Sequence, residues 1–175
     1  MPKRSNTIMM RLNADIFRRL YLEHGVRAQG FFLRMTGYDR ELARDLTQDL
    51  FMRLWAKRDC YDSGKPFRTW MFAVAYNMLK NEYRHKVVVM EYAESFDNTE
   101  PAIEPDAIER QELGQMIQNA VQRLPQQQKA VLMLRYEEEL PVSEIARICD
   151  IPEGTVKSRL FTALTAVRNY CKTNE

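Results

Sequence analysis

The stretch VSEIARICDIPEGTVKSRL, from Val142 to Leu160, holds two short helical patterns with only a few residues between them. Asp150 stands at the break, where the backbone must adopt a left-handed conformation that Asp tolerates, and Pro152 suits the first turn of the second helix. Ser143 is expected to cap the first helix, with Glu144 in its first turn. This arrangement predicts a helix-turn-helix, although a plain corner between two packed helices has the same local pattern.

The helix after the break has an inward stripe and an outward face. At about 100° per residue, the inward stripe consists of Val156, Leu160, Ala163 and Val167. The outward positions are Gly154, Ser158, Phe161, Thr162 and Thr165, with Lys157, Arg159 and Arg168 on the flanks. In a helix-turn-helix the N-terminal part of the second helix meets base edges in the major groove. The outward face therefore predicts DNA binding.

Two more helices are expected before this motif in the C-terminal part of the chain. Residues 115–124 form the first, which Pro125 stops, and residues 126–136 form the second. In the N-terminal part, a helix over residues 15–29 should end near Gly30. Its inward residues are expected to be Ile16, Phe17 and Leu20.

A second N-terminal helix is predicted over residues 39–57, DRELARDLTQDLFMRLWAK. Its apolar face consists of Leu42, Ala43, Leu46, Leu50, Phe51 and Leu54. Its opposite face carries Glu41, Asp45, Gln48 and Met52, with Asp49 at the edge. An acidic and polar patch of this kind predicts a protein partner.

A third helix should begin at Phe67, after the breaker segment CYDSGKP. It carries Phe67, Trp70, Phe72, Tyr76 and Tyr83, interleaved with Arg68, Lys80, Arg84 and Lys86. Aromatic residues are usually core, but Trp70 and Phe72 lie about 200° apart around the helix, so one of them is expected to face away from the core or to lie against a neighbouring element. Rings beside cations suit single-stranded nucleic acid, because bases stack on rings and phosphates pair with Lys or Arg.

The charge of the chain is organised in blocks. Residues 1–87 hold 17 Lys and Arg against 9 Asp and Glu, residues 88–112 hold one base against 8 acids, and residues 113–175 hold 8 bases against 7 acids. The middle block contains Pro101 and Pro105 and has no sustained hydrophobic period. The sequence therefore predicts an all-α protein, in which two small helical domains (1–87 and 113–175) are joined by an acidic linker (88–112).

Several classes of protein are disfavoured by composition. No stretch approaches the roughly 20 apolar residues of a membrane span, and the N-terminus lacks the apolar segment of a secretory signal. Cys60, Cys149 and Cys171 are an odd, scattered set, which fits a reducing cytoplasm. With only His24 and His85 to join them, no metal spacing and no nucleophile–base pattern appears, so neither a catalytic site nor a cofactor is expected.

Three segments carry a resemblance to a known family. They are, in chain order, DLTQDLFMRLW, KPFRTWMFAVAYNMLKNEYR and LPQQQKAVLMLRYEEELPVSEIARICDIPEGTVKSRL. In this order and spacing, over nearly the whole chain, they resemble the extracytoplasmic-function group of bacterial sigma factors. The resemblance implies that the second helix binds core RNA polymerase through Asp45, Gln48, Asp49 and Met52. It implies that the third helix opens and binds the minus-ten promoter element through Arg68, Trp70, Tyr76, Asn77, Lys80 and Arg84. It implies that the last helix binds the minus-thirty-five element through Thr155, Lys157, Ser158, Arg159, Phe161, Thr162 and Arg168.

The resemblance also implies a cytoplasmic protein that is monomeric when free, is not inserted in a membrane, and has an anti-sigma factor as a partner. The chain departs from the family after GTVKSRL, where many members carry several Arg or Lys and this chain has Phe161 to Thr165. Fewer phosphate contacts weaken sequence-independent affinity, so the expectation is either weak binding of this helix to DNA or more reliance on apolar contacts from Phe161 and Thr162 to thymine methyl groups.

Two alternatives remain at the level of sequence. A helix-turn-helix regulator that acts without binding polymerase would use the N-terminal domain for a ligand or for dimerisation, and would bind an operator alone. A sigma factor should bind core polymerase and bind promoter DNA poorly by itself. A helical scaffold with no nucleic-acid role would leave the net charge of +8 in residues 1–87 unexplained.

Overall fold

The computed structural model describes residues 12–92 and 110–174, with side chains described for 12–83 and 112–174. The helices are α1 (Ala14–Met35), α2 (Arg40–Ala56), α3 (Phe67–Tyr92), α4 (Arg110–Gln122), α5 (Gln126–Tyr136), α6 (Val142–Cys149) and α7 (Glu153–Thr173). A 3-10 turn at Arg58–Cys60 follows α2. These two ranges contain helices and turns only, so the all-α prediction is confirmed. We call residues 12–92 the head and residues 110–174 the tail.

The first helix is longer than its sequence pattern predicted. α1 runs through Gly30 to Met35, because Phe31, Phe32 and Met35 in its last turns are buried in the core of the head. The predicted inward residues near its start are only partly buried against this core. A β-carbon added at Gly30 would lie 2.9 Å from the Arg34 guanidinium, so the glycine here gives room to a neighbouring side chain rather than ending the helix.

The second helix matches its prediction closely. Asp39 is its N-cap and accepts a hydrogen bond from the backbone N–H of Leu42 at 3.0 Å. Five of the six predicted inward residues are buried and Leu42 is partly buried. α2 packs mainly on α1, with α3 beside it. The head is therefore a small helical bundle built on one apolar face of α2.

The tail differs from its prediction at one cap and agrees at the turn. Pro141, not Ser143, occupies the N-cap position of α6, and no side chain caps this helix, so the predicted Ser143 cap is wrong. Glu144 lies in the first turn as expected. Asp150 adopts φ 54° and ψ 54°, the left-handed conformation that its position in the sequence predicted. Pro152 is the N-cap of α7, one position before the first helical residue.

The helices extend into both ends of the predicted linker. α3 continues to Tyr92 and α4 begins at Arg110, whereas residues 93–109 lie outside the described residues. Within the described ranges, head and tail share one apolar cluster, because α6 of the tail packs against α3 of the head and α5 packs against α1. The two halves thus form a continuous packed body.

Candidate nucleic-acid and protein interfaces

The outward face of α2 is a polar surface with an apolar centre. Asp45 and Gln48 are exposed, and Met52 beside them keeps 63% of its surface accessible. Asp49 is partly buried and pairs with Arg53 one turn later, at 2.9 Å between carboxylate and guanidinium. A flexible, exposed Met beside acidic groups suits a protein surface that offers cations around an apolar patch.

The start of α3 is fixed by stacked aromatic rings. Trp70 stacks on Tyr61 with ring centroids 5.0 Å apart, and Phe67 meets Trp70 edge-on at 5.7 Å. The Tyr61 hydroxyl donates to the Lys65 carbonyl at 2.7 Å, which ties the preceding loop to the cluster. Phe72 points the other way and is fully buried. Trp70 thus lies against a neighbouring element, one of the two arrangements predicted for these rings, although both Trp70 and Phe72 contact the same apolar cluster.

The middle of α3 carries a tyrosine that the tail covers. Tyr76 is only 5% exposed, and its hydroxyl lies beside Cys149 of α6 and Arg159 of α7. Burial, with Cys149 nearby, raises the pKa of Tyr76, and burial raises the pKa of the Cys149 thiol to about 11. The Lys80 ammonium lies 6.0 Å from the centre of the Tyr76 ring.

The other α3 residues predicted to contact DNA have mixed accessibility. Asn77 and Lys80 are exposed, whereas Arg68 is partly buried. The side chain of Arg84 lies outside the described side chains. α3 thus brings Tyr76, Asn77 and Lys80 together, and in this conformation the ring among them faces the tail.

The turn between α6 and α7 is held by its backbone. The N–H groups of Asp150 and Ile151 both lie within hydrogen-bonding reach of the Ala146 carbonyl, with Ile151 at 3.0 Å. In the inward stripe of α7, Val156, Leu160 and Ala163 are buried. The turn therefore fixes the rotation of α7, which confirms the helix-turn-helix predicted for this part of the chain.

The outward face of α7 is accessible. Phe161 keeps 74% of its surface exposed, and Ser158 and Thr162 are exposed beside it. The Thr162 hydroxyl donates to the Ser158 carbonyl at 3.0 Å, so the Thr162 methyl group is free for apolar contact. Of the flanking residues, Lys157 and Arg168 are exposed, whereas Thr155 and Arg159 are partly buried.

The contacts between head and tail were missed by sequence reasoning. The Arg27 guanidinium lies 3.3 Å from the buried Glu138 carboxylate, and Arg34 lies 2.9 Å from Glu137. The Thr69 hydroxyl donates to the Glu144 carboxylate at 2.6 Å. These partners are separated by 75 or more residues in the chain, and no local pattern signals such a pairing.

The described ranges contain neither a membrane-spanning helix nor a metal-binding cluster. None of the helices there has both the length and the apolar character that crossing a bilayer requires. Residues 12–92 and 110–174 also contain no cluster of three or more His, Cys, Asp or Glu side chains placed to hold a metal ion.

Comparison with known proteins agrees with this geometry. Residues 20–87 match the family model for Sigma-70 region 2, and residues 114–167 match that for Sigma-70, region 4. The chain is 33% identical to the ECF RNA polymerase sigma factor SigL of Mycobacterium tuberculosis over 159 residues, which cover 89% of this chain and 88% of SigL. It is 31% identical to the ECF RNA polymerase sigma factor SigW of Bacillus subtilis over 150 residues, 79% of this chain and 80% of SigW.

Among solved structures, the sigma factor RpoE of Bartonella quintana, crystallised with the anti-sigma factor NepR, matches with a TM-score of 0.78. That match covers 91% of this chain and 98% of RpoE at 23% sequence identity, so it shows a shared fold. The two family models and the extended identity to SigL and SigW, on a chain with this helix-turn-helix, carry the assignment. The chain belongs to the extracytoplasmic-function group of RNA polymerase sigma factors.

Proposed function

We propose that this sigma factor binds core RNA polymerase through the outward face of α2, opens and binds the minus-ten element through α3, and binds the minus-thirty-five element through α7. The division of labour follows the predicted domains, 1–87 and 113–175, with the acidic linker 88–112 between them. The observation that carries the proposal is the accessible face of α7, where Phe161 is 74% exposed on a helix oriented by the Asp150 turn.

The chemistry of each surface supports its assigned partner. Asp45, Gln48 and Met52 on α2 are exposed, and Asp49 at their edge pairs with Arg53; the carboxylates and the Met suit a basic and apolar protein surface. On α3, the Tyr76 ring lies beside the Lys80 ammonium, and a ring with a cation is the combination that single strands require, although the tail covers this ring in the structure. Recognition of DNA needs no catalytic group, and the polymerase performs the chemistry of transcription.

The same proposal includes the cellular context of the protein. A sigma factor acts where core polymerase and promoter DNA are present, so the chain is expected in the cytoplasm as a monomer without a cofactor. Because RpoE of Bartonella quintana has the same fold and was crystallised with NepR, an anti-sigma factor is also expected as a partner here.

Reconstituted transcription with core polymerase and a randomised promoter library tests the proposal. The expected result is selective transcription from templates that share a minus-ten and a minus-thirty-five element, with weak promoter binding by the sigma factor alone. A helix-turn-helix regulator acting without polymerase would instead bind its operator tightly alone and would add no promoter selectivity to core polymerase. That result would refute the proposed function.

A further inference from the structure

A cleft lies between α3 of the head and the start of α5 in the tail. Its volume is about 680 Å³, within the range of roughly 300–1,000 Å³ that sites for small molecules occupy. A volume of this size holds one small molecule rather than a run of nucleotides. The proposed function gives no role to the α5 wall of this cleft.

Part of the lining is apolar and aromatic. Met35 and Leu79 of the head are buried side chains that reach the cleft, and Pro125 of the tail joins them there. The Tyr83 ring on α3 also lines the cleft and keeps 48% of its surface exposed. An accessible ring beside an apolar lining suits a planar aromatic group, because such groups stack on rings and lose apolar surface to water.

The charged part of the lining is positive. Among the described residues that line the cleft, Lys80 and Arg159 are charged and none is acidic. No described carboxylate lies within 4.0 Å of either cation, and Nη1 of Arg159 is buried without a hydrogen-bond partner in the described part of the chain. A cleft lined by one sign of charge concentrates ions of the opposite sign, so this one favours an anion.

The tail side of the cleft is the N-terminus of α5. Gln126, Gln127 and Gln128, the first three residues of this 11-residue helix, all line the cleft. No side chain caps this end, and its first turn contains no acidic residue. The first N–H groups of a helix have no acceptor within it and carry the positive end of the helix dipole, which favours a phosphate group there.

We propose that the cleft binds a nucleoside phosphate, with its base against the apolar lining and the Tyr83 ring, and its phosphate near Lys80, Arg159 and the start of α5. The two cations and the helix N-terminus account for the phosphate, and the ring with its apolar surroundings accounts for the base. An inorganic anion or an uncharged aromatic molecule would use only one half of the site. This inference goes beyond the proposed function and holds or fails independently of it.

Gln127, exposed in the first turn of α5, is the residue to change. Gln127→Glu places a negative charge beside the proposed phosphate position, and Gln127→Lys places a positive one. An acid in the first turn stabilises a helix and a lysine there destabilises it, so damage to the fold would rank the two variants in the order opposite to phosphate repulsion. Gln29→Glu and Gln29→Lys, at an exposed glutamine of α1 outside the cleft, make the same changes in net charge and are the matched controls.

Isothermal titration calorimetry on the full-length protein measures the affinity for adenosine 5′-diphosphate, inorganic pyrophosphate and adenosine. The parent should bind the nucleotide at least about tenfold more tightly than either half, because only the whole molecule makes both sets of contacts. Gln127→Glu should weaken nucleotide binding by about fivefold, as one like charge near a phosphate predicts, and Gln127→Lys should strengthen it. The Gln29 variants should change it by less than about twofold, because salt screens distant charges.

Three results would overturn the inference. The first is an absence of saturable nucleotide binding, and the second is equal affinity for pyrophosphate and the nucleotide. The third is equal effects of the Gln127 and Gln29 variants, since the nucleotide would then respond only to net charge.

A nucleotide within a single strand offers the same chemistry as a free one, so a short oligodeoxyadenylate is titrated as a fourth probe. Its affinity should change no more in Gln127→Glu than in Gln29→Glu. A strand that displaced the nucleotide and showed the Gln127 dependence would assign the cleft to nucleic acid and refute a site for a free nucleoside phosphate.

Discussion

The ammonium group of Lys129, buried within the tail, donates a hydrogen bond of 2.9 Å to the side-chain carbonyl of Gln122, whose amide in turn donates to the Arg34 carbonyl of the head at 3.1 Å. Burial lowers the pKa of Lys129 from 10.5 to about 8. A lysine buried in an apolar setting therefore orients an amide that crosses from tail to head, at a cost in stability while it remains charged.

That cost predicts how stability varies with pH. Between about pH 8 and pH 10.5 the folded protein binds fewer protons at Lys129 than the unfolded chain does, so the contribution of Lys129 to the free energy of unfolding should rise with pH across this window. The Cys149 thiol, whose pKa burial raises from 9.0 to about 11, contributes a fall above about pH 9, so the rise is read from the difference between the parent and a Lys129 variant. Lys129→Met should raise the free energy of unfolding at pH 7 by on the order of 1–3 kcal/mol and remove that rise. Urea denaturation at pH 7 and pH 10 measures the free energy of unfolding of the parent and of Lys129→Met. Lys172→Met, at an exposed lysine, is the control. Parallel pH profiles for the parent and Lys129→Met would contradict the prediction.

Changes on the outward face of α2 should weaken polymerase binding without unfolding the head. Two variants test this: the double variant Asp45→Ala with Gln48→Ala, and the single variant Asp49→Lys. Both alter side chains that lie away from the core. Loss of the exposed Asp49–Arg53 pair should cost no more than about 1 kcal/mol of stability. Pull-down with core polymerase tests the prediction, with Asp59→Lys as a charge reversal outside α2. Undiminished retention of the Asp49→Lys protein on polymerase would exclude this face as the docking surface.

Aromatic substitutions in α3 should affect strand opening more than closed-complex binding. Trp70→Ala or Tyr76→Ala should slow opening, because stacking on a base, worth about 1–3 kcal/mol, is gained only once the base is unpaired. Permanganate footprinting on matched and pre-melted promoters separates the two steps. Tyr136→Ala, an exposed ring on α5, is the control. Equal defects on both templates would mean that the rings serve only to pack the protein.

Substitutions on α7 should divide into two classes. Phe161→Ala or Thr162→Ser should change base preference at particular minus-thirty-five positions by about 1–3 kcal/mol, since the exposed ring and methyl group can contact thymine. Lys157→Ala should weaken all sequences alike and reduce the salt slope by about one unit, because it removes a phosphate contact. Selection from randomised duplexes at two salt concentrations distinguishes them. If the Phe161→Ala protein selected the same consensus sequence as the parent, Phe161 would contribute to the stability of the protein and not to base preference.

The sequence predicted those features whose causes are local. The apolar face of α2 and the left-handed turn at Asp150 each follow from a few neighbouring residues, and both are confirmed. The predicted end of α1 at Gly30 is wrong, because burial of the two phenylalanines that follow it outweighs the helix penalty of one glycine. The Ser143 cap was wrong because Pro141 already ends the preceding turn and places α6 two residues earlier.

The arrangement of head and tail was beyond the reach of sequence patterns. Arg27 and Glu138 are 111 residues apart, and each looks like an ordinary surface charge in its own segment. Tyr76 was expected to face DNA from its place in the resemblance, and nothing in the sequence around it indicates that Cys149 lies against it. Its role in strand opening stays a prediction, and the structure adds that the tail buries the ring.

Gly30 carries a consequence for how this protein can evolve toward heat resistance. Alanine there would favour the helical state of α1 by about 1 kcal/mol, yet its methyl group would lie 2.9 Å from the guanidinium of Arg34, the group that reaches Glu137 of the tail. The substitution would strengthen the head and push away one of the side chains that attach it to the tail. Because that group is the far end of a flexible, partly exposed side chain, it can shift aside, so heat resistance gained at Gly30 would come with a weaker Arg34–Glu137 pair between head and tail.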